Sequence, residues 1–113
     1  MAYNELLADR IRERLEHLPN LEEKRMMGGL TFMLNDKMCV GVLKDDLMCR
    51  IDENEVEQAV ERRGCRQMEF TGKPMKSFVL IDETGYSSKK DFDYWIDLAL
   101  DFNPKAKSSK KKK

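Results

Sequence analysis

The chain has 113 residues, 41% apolar and 37% charged, with a formal net charge of zero. That length suits one domain with a core of its own, without disulfide or metal staples. No apolar run approaches the roughly 20 residues that cross a bilayer; three cysteines without a C-x-x-C pair and one histidine, His17, exclude a disulfide scaffold and zinc-site spacing.

Residues 3–18 predict an amphipathic helix. Tyr3, Leu7, Ile11 and Leu15 recur every fourth residue, Leu18 completes the stripe, and Pro19 ends it. Glu5 and Asp9 interrupt what a signal peptide would need as its apolar region. With the unpaired thiols, this predicts a cytoplasmic chain.

Residues 22–51 predict strands. Gly28-Gly29 interrupts the first run, and Leu30–Leu34 follows. Asn35-Asp36 turns into Lys37–Lys44, and Asp45-Asp46 turns into Leu47–Ile51. With two-residue loops, Thr31, Met33, Met38, Val40, Val42, Leu47, Cys49 and Ile51 share one face. Leu30, Phe32, Leu34, Cys39, Gly41, Leu43, Met48 and Arg50 share the other. That register separates Cys39 from Cys49 and predicts no disulfide between them. Both faces are rich in apolar groups, unlike a sheet with one wet face.

Asp52 predicts a helix N-cap, with Glu55 three residues on, Val56, Ala59 and Val60 as the buried stripe, and Gly64 just beyond the end. Arg66–Thr71 alternates as a strand, Gly72-Lys73-Pro74 is turn chemistry, and Ser77–Ile81 is a further strand. Asp82–Ser87 reads as a loop. Ser88 caps a last helix that buries Phe92, Trp95, Ile96, Ala99 and Phe102 and stops at Pro104. The fold class is therefore α+β: a two-layer α-β(3)-α-β(2)-α arrangement with a five-stranded antiparallel sheet and helices packed on it. Residues 1–104 form the domain.

Residues 105–113 read as a disordered lysine-rich tail. Lys105, Lys107 and Lys110–Lys113 hold six of the 21 basic residues, so residues 1–104 carry a net charge of −6.

The segment Glu22-Glu23-Lys24-Arg25-Met26-Met27-Gly28-Gly29-Leu30-Thr31-Phe32-Met33 resembles the opening signature of the TfoX/Sxy N-terminal domain family. That signature runs basic residue, Met, Phe, Gly, Gly, then an apolar strand. Lys37–Val42 and Leu47–Arg50 resemble its next two strands, Met68–Lys76 its second signature, and Trp95 fits its last helix. Met27 stands where the family usually has Phe, which keeps apolar volume but removes a ring. The resemblance implies the α-β(3)-α-β(2)-α fold, similar to that of type III secretion chaperones. It offers no catalytic residues to carry over, and the namesakes regulate bacterial competence with an additional C-terminal domain. The chain stops after the N-terminal domain, so this regulatory role carries over poorly.

No residue constellation points to catalysis, a cofactor or a metal. Gly28-Gly29 reads as a tight strand entry rather than an anion cradle. Gly72-Lys73-Pro74 lacks phosphate-loop spacing. Cys39 and Cys49 read as buried structural thiols, and Cys65, between Gly64 and Arg66, is the better setting for a reactive one. His17 reads as a helix-terminal histidine. Met33, Met38, Met48, Met68 and Met75 read as a Met-rich core, with an adaptable binding surface as the alternative. Arg25, Lys73 and Lys76 read as solvated strand ends, with a small basic patch as the alternative.

The leading expectation is a non-enzymatic regulatory module that binds another protein or itself as a homodimer, through a sheet face bearing Leu30, Phe32, Leu34, Leu43 and Met48. The alternatives are nucleic-acid association through the lysine tail and a small enzyme or ligand binder with a hidden site. The tail reading makes a definite prediction. Binding to random duplex or single strands should be sequence-independent, should fall steeply as salt releases the counterion advantage, and should vanish in a chain ending at Pro104. Salt-resistant binding by the truncated chain would place a basic site in the folded domain.

Overall fold

The computed structural model describes residues 3–26, 28–70 and 72–106. Met27, Thr71 and residues 107–113 lie outside them, and with them the family's Phe position and most of the lysine tail. In chain order the elements are α1 (Glu5–Leu15), β1 (Leu21–Met26), β2 (Gly29–Leu34), β3 (Lys37–Leu43), β4 (Asp46–Arg50) and α2 (Glu53–Ala59). They continue with β5 (Cys65–Phe70), β6 (Lys73–Ile81), α3 (Glu83–Tyr86), α4 (Lys89–Phe102) and a 3-10 turn over Asn103–Lys105.

The helix ends follow local chemistry. The side chains of Asn4, Asp52 and Ser88 accept hydrogen bonds from the backbone N–H groups of Leu7, Asn54 and Asp91. Each thereby satisfies an N–H that the helix itself leaves over. Asp82 does the same for the single turn α3, where the sequence predicted a loop. α1 is shorter than expected. Tyr3 precedes it and instead bridges to Lys44, while Asn4 N–H donates to the Lys44 carbonyl at 2.6 Å.

The sheet is antiparallel throughout, as expected, but has six strands rather than five, in the order β1-β2-β3-β4-β6-β5. The sequence reads residues 22–34 as a single run that Gly28-Gly29 interrupts; the structure folds it back at Gly28 into two paired strands, β1 and β2, which makes six. The charged residues of β1, Glu22 to Arg25, suit an edge that must not pair with another sheet. β6 is longer than predicted and begins at Lys73. Pro74 is tolerated in it because β4 pairs with β6 only over Phe78–Ile81.

The predicted faces fail at one residue. Leu34 pairs with Lys37 and Met33 with Met38 as expected. Then Phe32 pairs with Val40, leaving Cys39 as the extra residue of a β-bulge. From there Leu30, Phe32, Val40, Val42, Leu47 and Cys49 share one face with Val79 and Ile81. The following turn falls at Lys44-Asp45, two positions from the predicted register, which preserves the facing of β3 and β4.

The helices cover that face. Leu7, Ala8, Ile11 and Leu15 of α1, Val56 and Ala59 of α2, and Phe92, Trp95, Ile96 and Ala99 of α4 join one core with it. Trp95 is fully buried, and its indole N–H donates to the Gly85 carbonyl at 3.1 Å. Asn103 is also buried. Its amide donates to the Leu34 carbonyl at 3.2 Å and accepts from Asn35 at 3.3 Å. Packing continues past Pro104, because Ala106 is buried.

On the opposite face, Met48, Met68 and Phe78 are buried, with Met38, Leu43, Met75 and Leu80 packed around them. The expected bare patch of Leu30, Phe32 and Leu34 does not exist, since all three lie under the helices. Thr31 sits opposite Gly41 on the Met48 side of the sheet, buried, with no partner for its hydroxyl.

This pair of neighbours predicts stability changes of opposite sign. Thr31→Val removes a buried, unsatisfied hydroxyl at nearly constant volume and should stabilise the fold by about 1 kcal/mol. Gly41→Ala would place a methyl group 2.6 Å from the Leu30 carbonyl oxygen and should destabilise by about 2 kcal/mol or more. Urea titrations of both variants check the signs.

Candidate functional site

Sequence reasoning singled out thiols, a histidine, glycine turns, a basic trio and methionines. The structure does not assemble them into a reactive site. Cys39, Cys49 and Cys65 are all free, buried and part of the helix-facing core. The expectation that Cys39 and Cys49 face opposite sides is corrected, because the bulge turns Cys39 toward the core as well. Burial pushes Cys39 up to about 12 and Cys65 up to about 11, the latter against the opposing pull of Arg66 and Arg62. Burial also raises Cys49 well above an ordinary thiol, and its S–H donates to the Trp95 carbonyl at 3.7 Å. A thiol held protonated is a poor nucleophile and a poor metal ligand.

His17 is exposed, two residues beyond the end of α1. Gly28 has φ 76° and forms the β1–β2 turn. Gly29 is pressed against the Val42 carbonyl, where no side chain fits. Gly72, with φ 79°, forms the β5–β6 turn. Arg25 lies on β1 and Lys73 and Lys76 on β6, four strand spacings apart, which is roughly 19 Å. They make no common patch. Of the methionines, Met33, Met48 and Met68 are buried and Met38 and Met75 half-buried, which is the core reading. Among the described residues, no group of three or more His, Cys, Asp or Glu side chains is placed to hold a metal.

The acid pairs serve the fold. Glu23 accepts two hydrogen bonds from Arg12, at 2.6 and 2.8 Å, and these hold its carboxyl below the usual range. Asp46 pairs with Arg66 at 2.6 Å, and the Asp45 carbonyl accepts from the Tyr86 hydroxyl at 2.6 Å. Arg62 lies 3.9 Å over the Tyr94 ring and joins the end of α2 to α4.

What the structure does assemble is a groove of about 590 Å³ between α2 and β5. Glu53, Val56, Glu57 and Val60 fall at helical positions i, i+3, i+4 and i+7, so one face of α2 lines it. Buried Val56 and Cys65 and half-buried Val60 form an apolar floor, while exposed Glu53 and Glu57 form one rim. Arg66, Gln67 and Lys76 complete the strand side. The groove was not legible in the sequence because it depends on strand order. β6 inserts between β4 and β5, leaving β5 as the edge strand beside α2.

The backbone phase of that edge follows from one hydrogen bond. Asp82 N–H donates to the Gly64 carbonyl at 2.8 Å. In an antiparallel ladder the bonded pairs alternate, so Arg66 bonds inward to β6, and Cys65 and Gln67 direct their backbone groups outward. The Cys65 N–H is taken by the Arg62 carbonyl at 3.2 Å. The Cys65 carbonyl and both backbone groups of Gln67 therefore face the groove side of the edge.

No helix among the described residues is long and apolar enough to cross a membrane. A family model described as the TfoX N-terminal domain matches residues 13–103. A search of curated proteins finds none that matches.

The thiol geometry predicts how stability depends on pH. The folded-state values lie above those of the unfolded chain, so unfolding releases protons once the pH passes about 9. The contribution is fully present below pH 9 and is lost as pH rises through about 11 to 12. Urea midpoints should fall across that window, and less steeply in Cys65→Ala. A thiol reagent at pH 8 should label no cysteine in the folded chain and three in urea.

Proposed function

The chain belongs to the TfoX N-terminal domain family, and from that premise we propose that it is a non-enzymatic regulatory module of the cytoplasm that acts by binding protein. The observation that carries this reading is the family match over residues 13–103, together with the burial of every thiol inside it. What remains at the surface suits association rather than bond-making: an edge strand, an amphipathic groove and charged helix faces. The net charge of −6 over residues 1–104 favours partners with a basic surface. A partner of this kind would meet the folded body, whereas nucleic acid would meet the tail. A homodimer is a second form of the same reading, with β5 the better candidate contact than the Met48 face.

The test is affinity capture from native extract with the full chain and with a chain ending after Ala106, which leaves the buried C-terminal packing intact. A specific protein retained by both forms is the expected result. Capture that needs residues 107–113, or nucleic acid as the sole retained species, would transfer the activity to the tail.

A further inference from the structure

We propose that the open edge of β5 and the adjoining face of α2 receive an extended segment of a partner protein. The segment pairs with β5 as a seventh strand and presents an apolar and a basic residue, two positions apart, to α2. This deepens the protein-binding reading and rests on it.

Three observations fix the occupant. The first is the edge itself. The Cys65 carbonyl and the Gln67 N–H and carbonyl point outward, away from β6, and these are the groups a further antiparallel or parallel strand uses. The bulge between Gln67 and Glu69 ends the regular run, so the paired stretch is short. The second is the floor. An added strand alternates its side chains, and every second one faces the helix layer. Those positions meet Val56, Val60 and Cys65, which lie together under the groove. The third is the rim. Glu53 and Glu57 are exposed on the same face of α2, about 6 Å apart along the helix axis. Helix-facing positions of a strand recur about every 6.8 Å, so one apolar residue over the floor leaves the next placed against the acids. A basic side chain there can lay its methylene stem over valine and carry its charge to the carboxylates.

The chemistry is that of a polypeptide strand rather than a small molecule. The strongest polar features are backbone groups in strand spacing, and the side-chain charges lie on opposite sides, acids on α2 and Arg66 and Lys76 on the sheet.

The test uses the full chain, 15N-labelled, and two blocked heptapeptides of threonine. One has a central valine with lysine two residues away on each side, so either strand direction presents lysine to the acids. The other has glutamate in place of lysine. The lysine peptide is expected to shift amides of β5 and α2, to slow exchange of the Gln67 amide, and to bind about fivefold tighter than the glutamate peptide. Methylating the backbone nitrogens of the peptide should abolish these effects. Glu53→Lys with Glu57→Lys changes two exposed residues; with unchanged core amide shifts as the check that the fold is kept, it should reverse the preference between peptides.

Shifts that map elsewhere, no shift with either peptide, or a preference unmoved by the charge reversal would overturn the proposal. Capture of a protein from extract alongside a silent β5 edge would overturn this docking mode and leave the protein-binding reading standing. Binding of the lysine peptide at β5 with nothing captured from extract would uphold the docking mode while removing support for the broader reading.

Discussion

The structure depends on one extra residue. Without the bulge at Cys39, the pairing that begins Leu34 to Lys37 and Met33 to Met38 would continue Phe32 to Cys39 and Leu30 to Gly41. Val40, Val42, Leu47 and Cys49 would then turn away from Leu30 and Phe32, because side chains on a strand alternate with a period of two. The helices would meet a face that is apolar on β2 and mismatched on β3 and β4. With the bulge, Phe32 and Val40 come opposite each other and the helix-facing core is continuous from β2 to β6. The same slip gathers Met33, Met38 and Met48 on the other side, where Gly41 leaves room for the Met48 methyl group. Methionine suits such a place, since an unbranched side chain fills an irregular gap that a fixed shape would not.

α4 holds the helical layer in place. Its Trp95 is anchored to α3 through the Gly85 carbonyl, while its own carbonyl accepts from Cys49 of β4. Its end is anchored to the β2–β3 hairpin, where Asn103 bonds Leu34 and Asn35, and Lys37 donates to the Asn103 and Pro104 carbonyls at 3.1 and 3.3 Å. A cation at that end also meets the partial negative charge of exposed helix carbonyls. The Arg14 side chain of α1 pairs with Asp93 and Asp97 one turn apart on α4. These surface pairs set orientation more than stability, since exposed ion pairs contribute little. Burial of the Trp95 and Phe32 rings stabilises the layer more than those pairs do.

Much of this was legible in the sequence where the signal is local. Asp52 and Ser88 cap the helices they were expected to cap, and Leu7, Ile11, Leu15, Phe92, Trp95, Ile96 and Ala99 are the buried positions that helical spacing named. Antiparallel pairing followed from short loops. What escaped was non-local. Residues 22–26 were visible as strand, but not that the chain folds back at Gly28 so that they pair with Gly29–Leu34 as an edge strand of their own, with Glu22 to Arg25 facing solvent or, in Glu23, the guanidinium of Arg12. The bulge leaves no mark in composition, since Cys39 and Val40 are both ordinary strand residues. The order β4-β6-β5 cannot be read from the chain, because either strand of the last hairpin could pair with β4. The candidate groove inherits that ambiguity. Val56 and Val60 were visible as a helix stripe, but only the edge position of β5 converts part of that stripe into a surface.

The distribution of charge then separates two kinds of attraction. The folded body is acidic overall, and α2 and the residues just beyond it concentrate Glu53, Glu55, Glu57 and Glu61. Such a field draws any basic segment, but attraction between exposed charges is screened beyond about 8 Å in physiological salt and discriminates poorly among lysine-rich chains. Discrimination needs short-range contacts: an outward amide at Gln67 that must find an acceptor in register, and a valine floor that rewards an apolar side chain and not a charged one. Residues 107–113 of the chain itself consist of lysine and serine. They answer the long-range field and lack the apolar residue the floor requires. The same acids that would attract the tail therefore favour a segment with an apolar residue placed two positions from a basic one, because such a segment gains from the field and from the floor at once.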